Sequence, residues 1–268
     1  VKHRIVNGSC LTDATCSTMA SVADMRLFAT VYPSLLLRYM AQMEMVFNAR
    51  TGHPVKVLDV GCGNGAAIRL WASQNFSTIA RKCGISYTGV DLFGPALKNA
   101  RKNAPQVGKA YIHKVDFIDA DISEDWDWAP ENWFDVIWYT EVIEHVPVGC
   151  AQRTLENCAR VIRPGGSMLL ATPAPRDGKL VWPQAHLHEF TEAEVRGMLK
   201  RTGWTIEDVW GCGVNWSKLR PVLRKELSED FQLYELLRGR IGGPFARAVM
   251  QALLPDFCTD LCYRCRYE

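Results

Sequence analysis

The 268-residue sequence lacks most of the features that settle a protein's class at once. It has no excess of one charge: 31 Lys and Arg stand against 29 Asp and Glu, for a net charge of +2. So weak a field is not the electrostatic footprint of a nucleic-acid or membrane-surface binder. It has no apolar run long enough to span a bilayer and no secretory signal, so no membrane partner is expected. The chain opens at Val1, and whether a targeting segment precedes it is left open. Internal repeats and low-complexity tracts are also missing, which excludes solenoid arrays and long linkers. What remains is 48% apolar and 22% charged residues, the balance of a globular core large enough to need no disulfide or structural metal.

Cysteine is plentiful, at ten residues, but poorly patterned. Cys10, Cys16, Cys62, Cys83, Cys150, Cys158 and Cys212 are scattered, which points to free thiols and a reducing, cytoplasmic setting. Cys258, Cys262 and Cys265 have a C-x3-C-x2-C spacing that can ligate a metal cluster. They lie at the end of the chain with little after them to complete such a site, and buried strand thiols are the expected reading.

Residues 1–17 are polar and without period, and read as a loosely docked arm. Residues 18–50 carry helical patterning, with Pro33 opening a helix. From residue 55 strands alternate with helices. KVLDV, ISYTGVD, AYIHKVDF, WFDVIWYT and GSMLLATP read as strands, with helices over 64–82, 95–103 and 149–162 between them. Thr191 and Glu194 form a capping box for a helix to Arg201, and TIEDVWGCGV follows as a sixth strand. Residues 216–254 break the rhythm with helical stretches around Gly242–Gly243–Pro244, and FCTDLCYRCRYE returns to strand alternation. The expectation is α/β: a Rossmann-like, mostly parallel seven-stranded sheet with helices on both faces. A helical N-terminal segment over 1–50 precedes the core at 51–268, and a helical insertion over 216–254 sits before the last strand.

The most informative stretch is VLDVGCGNG, placed between a strand and a helix. Gly61, Gly63 and Gly65 allow a tight turn and close approach of a ligand, with Cys62 and Asn64 between them. Asp59, just ahead of the loop, would repel a pyrophosphate and suits a ligand with a cationic end. Asp91, followed by Leu92, ends the second strand where a carboxylate can accept from ribose hydroxyls. Asp121 and Ile122 follow the third strand and suit the amino group and face of an adenine.

With these segments in order, the chain resembles the class I S-adenosylmethionine-dependent methyltransferases over roughly residues 50–215 and the last strand. VLDVGCGNG, YTGVD, DADI, FDVIWYTEVIEHV and RVIRPGGSMLLATP carry the resemblance. It implies an enzyme that binds S-adenosyl-L-methionine and releases S-adenosyl-L-homocysteine. Asp59 and the loop glycines would meet the methionine part, Asp91 the ribose, and Asp121 with Ile122 the adenine. The stretch from Asp59 to Asp91 is longer than the ~20 residues usual in such sites, the excess falling in the helix after the loop.

The fourth strand runs into Thr140–Glu141–Val142–Ile143–Glu144–His145–Val146. A proline-rich Asn/Asp-Pro-Pro-aromatic motif, which members that methylate nucleobase amines carry there, is absent. EVIEHV is similar to two branches of the family: the ubiquinone-biosynthesis-type O-methyltransferases, and the small-RNA ribose 2′-O-methyltransferases that hold a divalent metal with two Glu and two His. On one helical turn Glu141, Glu144 and His145 share a face, and AHLHEFT adds His186 and His188. Glu141, Glu144, His145 and His188 are therefore the candidate catalytic residues, with His145 or His188 as proton acceptor. The same four could instead hold a divalent metal. A small-molecule acceptor, most often through oxygen, is the leading expectation. RNA or a modified nucleic acid is the alternative acceptor, and a non-catalytic cofactor-binding module is the reading from a different class. Within the insertion KLRPVLRK is locally basic, and its expected role is a solvated helix face. Trp138, Tyr139, Trp182 and Trp216 could stack a planar substrate, but packing is the commoner use of such aromatics.

Overall fold

The computed structural model describes residues 3–6, 9–12, 33–49, 54–72, 84–106, 112–175, 186–213, 216–241 and 243–268. The N-terminal strands β1 (His3–Val6) and β2 (Ser9–Thr12) pair antiparallel as a separate two-stranded sheet. This corrects the reading of an unpatterned arm: the intervening sequence is Asn7–Gly8, the strongest short hairpin signal. Residues 13–17, including Cys16, lie outside the described residues, as do Cys83, Trp182 and the helical patterning before Pro33.

Helix α1 (Pro33–Asn48) begins at the expected proline. The core then runs β3 (Val55–Val60), α2 (Ala66–Ala72), β4 (Ile85–Asp91), α3 (Gly94–Lys102), β5 (Ile112–Asp119), β6 (Phe134–Thr140), α4 (Val148–Val161), β7 (Ile162–Pro173), α5 (Glu192–Arg201) and β8 (Trp204–Cys212). Helices α6 (Trp216–Glu226), α7 (Ser228–Ile241) and α8 (Gly243–Leu253) precede the last strand, β9 (Asp260–Tyr267). The helix expected over 64–82 is described only as far as Ala72.

The seven strands lie in the order β5-β4-β3-β6-β7-β9-β8. β9 runs antiparallel to both β7 and β8, and the other pairings are parallel. The chain leaves β3 outward through β4 and β5, then returns to lay β6 on the other side of β3. That reversal opens a crevice beyond the carboxyl ends of β3 and β6, where ligands of open α/β sheets sit.

Side-chain alternation sorts the core onto two faces. Val55 and Val57 of β3 pack with α1, Trp71 of α2 and Leu97 of α3. Leu58 and Val60 pack with Leu155 and Val161 of α4 and with Val195 and Leu199 of α5. The same alternation separates the tail thiols: Cys262 joins the first face and Cys265 the second, so C-x3-C-x2-C does not converge on a metal. The Thr191–Glu194 capping box forms as expected, Glu194 Oε2 accepting from the Thr191 N–H at 2.7 Å. Trp138 and Tyr139 are core residues, 1% and 0% exposed, and stack no ligand. On α6, Leu219 and Leu223 are buried while Arg220, Arg224 and Lys225 are exposed, the pattern of a solvated basic face.

Candidate functional site

At the end of β3 the chain turns through Gly61, Gly63 and Gly65, all left-handed, at φ 71°, 54° and 74°. A Cβ at Gly61 would collide with the side chain of Val142 from the turn after β6. A Cβ at Gly63 would meet nothing within 4 Å among the described residues, so on their side this glycine borders open space. Cys62 is buried beside Gly89 of β4, and Arg69 donates to the Asn64 side chain at 3.3 Å. Cys62 and Asn64 therefore shape the loop from within.

Asp59 lies beneath the loop, 5% exposed, and accepts from the Tyr87 hydroxyl at 2.6 Å. Burial lifts its pKa to about 7, against the lowering effect of the Tyr87 hydrogen bond. Asp91 accepts from Gly63 N–H at 2.8 Å and Phe93 N–H at 2.7 Å. It thus ties β4 to the glycine loop and does not cap α3, whose N-cap is Phe93. Leu92 is half-buried beside it. Asp121 uses one oxygen, Oδ1, for Ser123 N–H and hydroxyl, at 2.9 and 2.7 Å. Its other oxygen, Oδ2, is buried and has no hydrogen-bond partner among the described residues. An orphaned acceptor of that kind is costly unless a ligand satisfies it. Next to it Ile122 is 7% exposed, an apolar face at the same place. The open space at Gly63, the Asp91 carboxylate and the unsatisfied Asp121 Oδ2 fit an adenosine with an amino-acid tail.

The turn after β6 begins at Glu141, at φ 58°, one of two non-glycine residues in the left-handed region among those described. Its N–H donates to Ala171 O at 2.8 Å. Its carboxylate is held by Arg38 of α1, Nη1 to Oε1 at 2.7 Å, and that arginine is 3% exposed. Burial, with Asp260 adding repulsion and Arg38 opposing it, lifts the Glu141 pKa to about 8. Glu144, in the short 3-10 turn Ile143–His145, is fully buried. Thr172 donates to its Oε2 at 3.0 Å, while Oε1 has no hydrogen-bond partner among the described residues. Burial first, then the Glu141 charge, push the Glu144 pKa up.

The turn draws in the segment after β7. Leu187 and His188 donate their N–H groups to Glu144 O at 2.9 and 3.3 Å. Glu144, His145 and His186 then each place one donor atom within 4.8 Å of the others. The imidazoles of His145 and His186 meet edge to face, centroids 5.0 Å apart. The expected four-residue set is changed in two places. The ring of His188 turns to Glu194 instead, Nε2 to Oε1 at 3.1 Å, because the capping box holds that carboxylate at the surface. Glu141 is engaged by Arg38. Arg38 and Glu189 were missed by the sequence reading. A lone Arg inside LLLRYM and an acid beside the apolar Phe190 are the only signals either residue offers.

A family described as "Methyltransferase domain" matches residues 58–168. A ubiquinone biosynthesis O-methyltransferase from Thiobacillus denitrificans is 30% identical over 191 residues, covering 65% of this chain and 74% of the relative. One from Klebsiella pneumoniae subsp. pneumoniae is 33% identical over 124 residues, 46% of this chain and 44% of the relative; the chain thus spans under half the length of that protein. Among solved structures, the N-methyltransferase NodS from Bradyrhizobium japonicum, in complex with S-adenosyl-L-homocysteine, aligns with a TM-score of 0.56. It covers 95% of this chain and 97% of that one, at 13% identity, a likeness of fold. With the strand order and the left-handed glycine loop, these matches place the chain among the class I S-adenosylmethionine-dependent methyltransferases, a family of enzymes to which it belongs.

Proposed function

We propose that the chain moves a methyl group to a hydroxyl oxygen of a small-molecule acceptor. The observation that carries this reading is the gathering of Glu144, His145 and His186 just beyond β6, the strand that borders the glycine loop. A hydroxyl is a weak nucleophile until its proton leaves, so an oxygen acceptor calls for a base, while a neutral amine needs only placement. The relatives that bear the name O-methyltransferase support the same acceptor atom.

The glycine loop, Asp59, Asp91, Asp121 and Ile122 would hold the cofactor. S-adenosylmethionine, when bound, supplies a methyl carbon on a positively charged sulfur. Transfer would join the acceptor oxygen to that carbon, the carbon–sulfur bonding pair leaving with sulfur. An imidazole of the histidine pair takes the acceptor proton. Holding acceptor and methyl in line can supply ~7 kcal/mol or more of the barrier. Selection of the acceptor is assigned to elements outside the sheet, α1 before it and α6 to α8 ahead of the last strand. Among the described residues the buried thiols Cys62, Cys158, Cys212, Cys258, Cys262 and Cys265 form no disulfide, which supports a cytoplasmic setting. Among the described residues no helix is long and apolar enough to cross a membrane.

A divalent cation is a second reading, favoured by the unsatisfied Glu144 Oε1 beside two imidazoles. The test is methyl-labelled S-adenosylmethionine incubated with the protein and a host extract, the label partitioned between small molecules, RNA, DNA and protein. Label among small molecules is expected. Label confined to a macromolecule would overturn the acceptor class, and loss of transfer with a chelator would select the second reading.

A further inference from the structure

We propose that Glu189 is a positioning residue, which fixes His186 in the tautomer whose Nε2 offers its lone pair at the acceptor edge. The proposal rests on the reading of that edge as the acceptor site. Glu189 belongs to none of the motifs that mark the cofactor crevice. It sits between His188 and the core residue Phe190, and is itself 2% exposed. A carboxylate so deeply placed is tolerated when it is paired. Its Oε1 lies 2.7 Å from Nδ1 of His186, whose side chain is 7% exposed.

The chemistry of the contact sets the tautomer. An ionised carboxylate only accepts, so Nδ1 must carry the proton it shares with Glu189. A neutral imidazole that donates from Nδ1 has its lone pair on Nε2. Glu189 thus engages one ring nitrogen and leaves Nε2 to serve the cluster that His186 forms with Glu144 and His145, one ligand atom of each within 4.8 Å of the others. The ring is further confined by its edge-to-face contact with His145. The backbone behind it is pinned by the Leu187 and His188 N–H groups on Glu144 O. Without Glu189 the ring could exchange tautomers, and part of the population would present an N–H where a lone pair is needed.

His188 lacks this arrangement. Its Nε2 is already directed to Glu194, on the exposed capping box. His145 has its Nε2 3.8 Å from Glu144 Oε1. Outer partners of this kind change the performance of the imidazole they hold by about 10- to 100-fold in metal sites, and a comparable loss is expected here.

The test uses the full chain with isotope-labelled histidine and long-range proton–nitrogen NMR spectra. Wild type should show His186 as the Nδ1–H tautomer. Glu189→Gln keeps an accepting oxygen and should keep the tautomer, with most of the transfer rate. Glu189→Leu should mix or reverse the tautomer and lower kcat by about 10- to 100-fold, with S-adenosylhomocysteine affinity within about twofold of wild type. Rates are read with methyl-labelled S-adenosylmethionine and host extract as acceptor source. An Nε2–H tautomer in wild type overturns the proposal, and that spectrum decides even if Glu189→Leu does not fold. An unchanged tautomer or unchanged kcat in a folded Glu189→Leu also overturns it. If wild type transfers no label to small molecules, the acceptor reading fails, and the spectra still decide the positioning.

Discussion

Replacing Gly61 and Gly63 by alanine, one at a time, should separate folding from cofactor binding within a single loop. Both residues are left-handed, at φ 71° and 54°. That conformation costs an L-residue about 1–2 kcal/mol. Alanine recovers about 0.4–1 kcal/mol by stiffening the unfolded chain. At Gly61 a new Cβ also collides with Val142, and forced overpacking adds about 1–3 kcal/mol. Gly61→Ala should therefore lose about 2–4 kcal/mol, a fall in Tm on the order of 10 °C for a chain of this length. Gly63→Ala meets no atom within 4 Å, so its loss should stay near 1 kcal/mol and a few degrees. Its methyl group instead enters the space assigned to the cofactor. Thermal unfolding and calorimetric titration with S-adenosylhomocysteine read the two effects. Gly63→Ala should weaken binding at least tenfold while melting near wild type. Equal Tm losses in the two variants, or wild-type affinity in Gly63→Ala, would refute the assignment of that space.

Three further outcomes follow. Asp59 titrates near 7 in the folded chain against 3.8 as its ordinary value, so the folded state holds a proton that the unfolded state gives up. Stability of the free protein should fall from about pH 4 to about pH 7, while affinity for the cationic cofactor rises over the same range; a flat affinity profile between pH 5 and pH 7 would contradict this. Asp121→Asn keeps an oxygen for Ser123 but turns a donor toward the adenine amino group, so S-adenosylhomocysteine should bind about tenfold more weakly, checked by calorimetry against an unchanged Tm. Arg38→Met strands Glu141 beside Asp260, which should cost stability by about 3 kcal/mol and slow transfer, and Arg38→Met with Glu141→Gln should recover part of the Tm loss; no recovery would mean that Arg38 acts through packing alone.

The elements around the glycine loop were legible because local rules determine them. VLDVGCGNG is a strand, a tight turn and a helix start in consecutive residues, and β4 spans Ile85–Asp91 as the alternation of ISYTGVD indicates. Thr191 and Glu194 declare their helix in the same local way. The cluster after β6 depends on contacts between distant segments. His186 and His188 are two residues apart, and which ring turns inward is decided by Glu194, claimed by the capping box, and by Glu189, buried against the core. Glu141 shares no cluster with Glu144 because its left-handed backbone aims the carboxylate at Arg38, 103 positions away in sequence. No periodicity in either segment encodes that meeting.

The most direct measurement of the central claim is the fate of the methyl carbon itself. S-adenosylmethionine carrying an isotopic methyl group would be turned over with host extract, and the labelled small molecule isolated and examined by carbon NMR. A methyl resonance in the methoxy region, formed in step with S-adenosylhomocysteine, is the predicted result. A methyl on nitrogen or carbon would contradict the oxygen acceptor, and tight cofactor binding with no labelled product would contradict the account of the acceptor edge.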